Sequence, residues 1–166
     1  MENYICKIAD ISDLNKKWDY EINKATEDKY NWIIWKELHI TGYKKGYLIS
    51  YYGLLDNNII CETTAVVNSN YLQNKKGLVD NETAYLMAFR TIDEYQGKGY
   101  FRELFKFMIN DLKNRGYKYA TIGVEPEELK NKEIYQRYGF TEYLYQEYEE
   151  YPDGTKVLVD YYRKRL

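Results

Sequence analysis

The chain has 166 residues, 45% of them hydrophobic and 30% charged, with 2 prolines, a composition that builds one globular domain over 1–166 and excludes a disordered or fibrous chain. At this length a single core buries roughly 70% of the surface that the unfolded chain exposes. The 24 basic and 26 acidic residues leave a formal charge of -2, without the basic excess that a nucleic-acid partner requires.

No apolar stretch approaches the roughly 20 residues that span a bilayer, and MENYICKIADIS lacks the charged-then-apolar layout of a signal peptide. A soluble, cytoplasmic protein with no membrane partner is therefore expected. Cys6 and Cys61 lie in apolar runs with no further thiol at metal-ligand or redox spacing, and are read as two buried, reduced thiols. No metal site is expected.

YICKIA, residues 4 to 9, alternates as a strand does, and Ser12 is the expected cap of a helix whose Leu14, Trp18 and Ile22 recur every four residues. A second helical stretch runs from Tyr30 until Gly42 and Gly46 break it. It carries His39, the only histidine, read as a packing or surface residue because no Ser, Cys or Asp arrangement points to it as a base. YLISYYGLL and IICETTAVV form a hairpin around Asp56, Asn57 and Asn58, residues that tolerate positive φ. The polar stretch Asn68 to Asn81 is read as a mobile surface loop, with the border of a site as the alternative.

Thr83 to Ile92 is nearly continuously apolar, as a central strand covered on both faces would be. The turn Asp93 to Lys98 leads into a helix with a stripe of Phe101, Leu104, Phe105, Met108 and Leu112, ended by Gly116. YKYATIGV is the next strand, Asn131 to Tyr138 a short helix stopped by Gly139, and Phe140 to Tyr148 a strand that turns at Pro152, Asp153 and Gly154 into KVLVDYYRK.

The chemistry concentrates in QGKGYFR, Gln96 to Arg102, where a buried strand gives way to a helix. Glycines admit close approach and unusual φ, and the free N–H groups of a helix start attract an anion, so this is a phosphate cradle. Gly99 is followed by Tyr100 rather than Lys, which excludes the phosphate loop of nucleotide triphosphatases. Arg102 stands where a dinucleotide fingerprint needs its third glycine.

This turn resembles the signature Q/R-x-x-G-x-G/A of the GNAT superfamily of N-acetyltransferases. Gln96, Gly97, Lys98, Gly99, Tyr100 and Phe101 fill it, with Phe101 in place of the small last residue. IYQRYGF, residues 134 to 140, resembles the family's second landmark, a helical tyrosine ahead of a G-F pair. The resemblance implies an α/β (α+β) fold: a mixed, largely antiparallel sheet of about six to seven strands flanked by helices, with splayed fourth and fifth strands.

It also implies roles. Backbone N–H groups from Gly97 to Arg102 hold the pyrophosphate of acetyl-CoA, the backbone of Phe89, Arg90 and Thr91 pairs with the pantetheine arm, and Tyr135 protonates the departing thiolate. Asn131 is a coenzyme contact on the same helix, although an ungapped match puts the family's asparagine at Glu128. A small or peptidyl primary amine then attacks the thioester directly, neither cysteine standing near the two motifs. For the base, Glu62, Glu82 and a water relay stay open, as do a monomer and a homodimer. Glu142, Glu147, Glu149, Glu150 and Asp153 gather on the last hairpin, read first as a charged rim and second as a steering patch for a cationic amine. The second class of function is an acyl-CoA-binding module without turnover.

Overall fold

The computed structural model describes residues 3–73 and 75–166. Met1 and Glu2, in the stretch scanned for a leader, and Asn74, in the expected loop 68–81, lie outside the described residues.

β1 (Tyr4–Ile8) leads into α1 (Ile11–Lys24), whose cap is Asp10 rather than the expected Ser12. Asp10 accepts from the Asp13 N–H at 2.9 Å, and Asp13 accepts from the Asp10 N–H at 3.0 Å. This reciprocal pair satisfies two orphan donors at once, which a serine two residues on cannot do. α2 (Lys29–Lys44) runs through Gly42 instead of breaking there. That glycine is a close-approach residue, since a Cβ would sit 2.8 Å from the Tyr71 ring.

β2 (Leu48–Leu55) and β3 (Asn58–Val66) form the expected hairpin, with Asp56 and Asn57 at φ of 49° and 65°. β4 (Thr83–Thr91) is followed by a 3₁₀ turn at Asp93–Tyr95, then by α3 (Tyr100–Asn114), β5 (Tyr119–Val124) and α4 (Leu129–Arg137). β6 (Glu142–Glu150) and β7 (Lys156–Arg165) close the chain. α4 and β6 each start two residues away from the expected positions, because the 125–129 turn feeds α4 early and the Gly139 turn delays β6.

The seven strands make one sheet in the order β1-β2-β3-β4-β5-β7-β6, antiparallel except for β4 and β5. The largest core lies between the sheet and α3, built on Leu86, Leu104, Phe105, Met108, Leu112 and Ile122. The other face carries α1, α2 and the 68–81 segment, over Leu14 and Tyr52 at one end and Leu48, Val66, Leu78 and Tyr161 at the other. Among the described residues, no helix is long and apolar enough to cross a membrane.

Two expectations about cysteine change. Cys61 is buried, but Cys6 is only half-buried, because β1 is an edge strand. Cys61 is also not remote from the glycine turn: the Tyr4 hydroxyl lies 3.1 Å from its Sγ and donates to the Tyr100 carbonyl at 2.8 Å. Of the acidic residues of the last hairpin, Glu142 stands apart from Glu147, Glu149, Glu150 and Asp153. Glu142 lies beside Arg163 at one end of the β6–β7 ladder and Glu150 beside Lys156 at the other, a strand length of roughly 27 Å away.

Candidate active site

β4 is covered on both faces only in its first half. Its parallel pairing with β5 runs from Thr83↔Tyr119 to Leu86↔Ile122 and stops there, although both strands continue. The cause is a bulge. Against β3 the register jumps from Thr64↔Met87 to Glu62↔Arg90, so Thr63 faces two residues, Ala88 and Phe89. Ala88 takes φ of 58°, a conformation that an L residue adopts only under constraint. The Thr63 hydroxyl donates to the Met87 carbonyl at 3.4 Å, satisfying a group that the bulge frees from the ladder.

The bulge redirects the side chains beyond it. Phe89 turns toward α3 and meets Phe101 at 5.0 Å, Phe105 at 6.0 Å and Tyr135 at 5.5 Å, ring centroid to centroid. Phe101, the departure from the signature, folds inward onto this cluster and Tyr138 rather than over the glycine turn. Arg90 turns to the other face. Its guanidinium lies 4.7 Å from the Trp32 ring and 5.8 Å from the Trp18 ring, and donates to Glu62 at 2.8 Å.

The glycine turn has the form of an anion cradle. Gly97 and Gly99 take φ of 72° and 87°, and the space where a Gly97 Cβ would stand is open. No side chain caps α3 at Gly99, and the first intrahelical bond runs from the Glu103 N–H to the Gly99 carbonyl, so the N–H groups of Tyr100, Phe101 and Arg102 have no acceptor within the helix. These donors, with Lys98 and Arg102 beside them, suit the pyrophosphate of coenzyme A. The Gln96 side chain is occupied within the turn, donating to the Thr91 carbonyl and to Asp93, each at 3.1 Å. It shapes the cradle. Beneath lie Tyr4, Tyr95 and Tyr100, with ring centroids at 4.8 and 6.2 Å from that of Tyr100. Gly53 makes room for them, since a Cβ there would come within 2.1 Å of the Tyr4 hydroxyl.

Tyr135 projects from α4 against Phe89, at the edge of the gap between β4 and β5. Burial, with Glu128 nearby, pushes its hydroxyl up to about 12, so it holds its proton at neutral pH. Asn131 stands in the first turn of α4, its amide donating to Glu128 at 3.1 Å. The Cys61 thiol is pushed up to about 11 by burial, which leaves it a poor nucleophile.

The two carboxylates singled out as bases are both engaged. Glu62 is 3% exposed, bound to Arg90 and 3.9 Å from the buried Lys17. Glu82 precedes the far end of β4 and pairs with Lys118 at the surface. His39 is a buried packing residue that shares a 2.8 Å hydrogen bond with Ser50, and burial pulls it down to about 4. The 68–81 segment does border the gap: Lys75 reaches the Tyr161 hydroxyl at 2.5 Å and Glu149 at 3.8 Å.

Three residues near the gap gave no signal in the sequence. Glu125 follows β5 directly and is half-buried, its carboxyl raised first by burial and then by Glu128, Glu127 and Glu149. Tyr151 packs on Trp35 at 5.1 Å, and the tip of its hairpin is tied to α2 by two 3.0 Å bonds between Asn31 and Asp153. Tyr85 lies over Gly123. In a chain with 21 tyrosines, no single one stands out by type.

The sequence model of the acetyltransferase (GNAT) family matches residues 8–140, a span that holds the cradle, the bulged strand and Tyr135. The chain belongs to the GNAT acetyltransferase family. Solved structures share its fold at low identity. A probable acetyltransferase from Staphylococcus epidermidis superposes with a TM-score of 0.71 at 14% identity, over 98% of each chain. The ribosomal-protein-S18-alanine N-acetyltransferase of Escherichia coli gives 0.67 at 16%, over 98% of this chain and 93% of its own. A putative acetyltransferase from Salmonella typhimurium, solved with its cofactor acetyl-CoA, gives 0.65 at 15%, over 99% and 95%. Among curated proteins no sequence matches. The seven-stranded, largely antiparallel sheet and the opened β4–β5 pair are those expected of a GNAT domain.

Proposed function

We propose that this GNAT protein is a cytoplasmic enzyme that transfers the acetyl group of acetyl-CoA to a primary amine by direct attack. The observation that carries the reading is the opening of β4 from β5 beyond Leu86 and Ile122, directly beside an uncapped helix start. Acetyl-CoA supplies an activated thioester. N–H groups from Gly97 to Arg102 hold its pyrophosphate, and the backbone of Phe89, Arg90 and Thr91 receives the pantetheine arm as an added strand.

The chemistry then needs little. An alkyl ammonium near pKa 10.4 must lose a proton before it attacks, and Glu125, at the β5 side of the gap, takes it through water. As the C–N bond forms and the C–S bond breaks, the second nitrogen proton passes to the sulfur. Tyr135 holds its proton at about 12, against about 8.5 for a thiol, so its part is a hydrogen bond to the leaving sulfur rather than a net proton gift. The inert Cys61 agrees with attack without an acyl-enzyme. Peptide N-termini and small amines are both acceptor classes to try, the first because the Escherichia coli neighbour is an alanine N-acetyltransferase of a ribosomal protein.

The test is a thermal shift with acetyl-CoA, followed by detection of free thiol over an amine panel. Ligand at 100 times its dissociation constant stabilises by about 2.7 kcal/mol, or about 5–10 °C for a domain of this size. No shift at millimolar acetyl-CoA overturns the reading. A shift without thiol release from any amine leaves a binding module and overturns the transferase.

A further inference from the structure

Tyr85 and Gly123 face each other across the last paired turn of β4 and β5. Tyr85 pairs with Thr121 and Leu86 with Ile122; the next β5 residue, Gly123, has no β4 partner and is the first residue of the gap. The Tyr85 hydroxyl leans over it. A Cβ on Gly123 would come within 3.0 Å of that oxygen, 2.8 Å of Val159 and 3.0 Å of the Tyr161 ring. The glycine is what lets a hydroxyl stand at the mouth of the gap.

The orientation of the strand decides which mouth. Ala84 and Leu86 pack against the α3 core, whereas Tyr85 and Met87 pack on the opposite face with Val159 and Tyr161. The cradle and Tyr135 belong to the α3 side. On the proposed reading the thioester therefore enters from the α3 side and the amine from the side of Tyr85.

The hydroxyl is available there. Its neighbour Tyr161 is taken by Lys75 at 2.5 Å, while the Tyr85 hydroxyl has no hydrogen-bond partner among the described residues, although its ring is half-buried. A hydroxyl with no protein partner at the mouth of the gap is open to a bound ligand. The surrounding charges keep it neutral: burial first, then Glu149, Tyr161, Tyr135 and Tyr145, all hold its proton on. A neutral phenol does not abstract a proton. It accepts a hydrogen bond from an N–H and donates one through its own hydrogen.

We infer that Tyr85 positions the acceptor: its hydroxyl oxygen accepts an N–H hydrogen bond from the neutral amine at the mouth of the β4–β5 gap, turning the nitrogen lone pair toward the thioester. The inference rests on the transferase reading and adds a residue to it. It also narrows the acceptor. The attacking nitrogen must keep a hydrogen for Tyr85 besides the one it loses, so primary amines are favoured over secondary ones.

The test is Tyr85→Phe, which removes one unpartnered oxygen and leaves the ring packing intact. Wild type and variant are compared for thermal midpoint, acetyl-CoA affinity, and kcat and KM toward primary amines and their N-methyl counterparts, using N-terminal peptides and small alkyl amines. The expected result is an unchanged midpoint and coenzyme affinity, kcat/KM for the primary amine lowered about tenfold or more, and a smaller preference for primary over N-methyl amine. Equal kcat/KM in variant and wild type overturns this inference alone. So does a loss of activity that comes with lost coenzyme binding or a lowered midpoint. Wild-type protein that binds acetyl-CoA but neither binds nor acetylates any amine overturns the transferase reading as well.

Discussion

Arg90 donates to Glu62 at 2.8 Å across the β3–β4 pair, just beyond the bulge, with its guanidinium against Trp32 and a carboxylate partner that is almost fully enclosed. Removing one member of such a pair strands the other charge. Glu62→Gln is expected to lower stability by about 3 kcal/mol, the low end of the range because Arg90 keeps some solvent contact. That is a fall of about 6–12 °C in the thermal midpoint. If Glu62 were the base, the variant would instead lose kcat at an unchanged midpoint, and calorimetry with kinetics separates the two.

On the proposed mechanism, Tyr135→Phe deletes one hydrogen bond to a sulfur that gains negative charge, raising the barrier by about 1.5–3 kcal/mol and lowering kcat about 10- to 150-fold. Acetyl-CoA affinity is expected to stay. Because the folded hydroxyl is raised to about 12, above its ordinary 10, the protonated form persists as pH climbs and is lost only through about 12. The wild-type kcat profile therefore shows no fall from this group between pH 7 and 10. A descending limb near 9, absent from the variant, would refute the role.

The base role of Glu125 has its own pH signature. Glu125→Gln is expected to cost about a hundredfold in kcat/KM at pH 7, where an alkyl amine is nearly all ammonium. As pH approaches 10.4 the amine deprotonates unaided and the deficit shrinks. A deficit that is constant from pH 7 to 10 points to lost structure instead. Since burial raises this carboxyl above its ordinary value, the acid limb of the wild-type profile lies above the usual carboxylate range.

His39 should be visible in stability rather than in activity. Its folded value of about 4 lies below its ordinary 6.5, so the unfolded chain takes up a proton first as pH falls. Its contribution is whole above 6.5 and drains away between about 6.5 and 4, reaching roughly 3 kcal/mol. Urea midpoints of wild type and His39→Gln, measured from pH 7.5 to 4, should converge toward the acid end. Parallel curves would show that the imidazole is not buried neutral.

The glycine turn and IYQRYGF were readable because their residue types are forced: positive φ at Gly97 and Gly99, and the free donors of a helix start. Hydrophobic period was enough for the strands and helices, though not for their ends, where a reciprocal Asp10–Asp13 pair outcompeted Ser12 and tertiary packing on Tyr71 kept Gly42 helical. The bulge was hidden. Ala88 carries no mark of positive φ, and its place is fixed by how β3 and β4 slip against each other, a relation between strands that no local pattern records. The proposed acceptor side was equally silent: Tyr85 leans over Gly123 from the neighbouring strand, and Tyr151 reaches Glu125 from a separate turn, relations that exist only in space.

The brief β4–β5 pairing has a mechanical meaning. Four rungs, Thr83 to Leu86 against Tyr119 to Ile122, are, among the described residues, the only backbone ladder joining the four-stranded half of the sheet to the three-stranded half. The domain is two plates on a short hinge line, held from behind by α3 and across the open end by the Asn31–Asp153 latch. On the proposed function, the extended pantetheine arm in the gap would continue the rungs that β4 and β5 do not make for themselves and act as a splint. Amide hydrogens of Thr83 to Leu86, among the slower exchangers of a plain central strand, would then exchange through opening of this seam in the free protein and fall silent when the splint is in place.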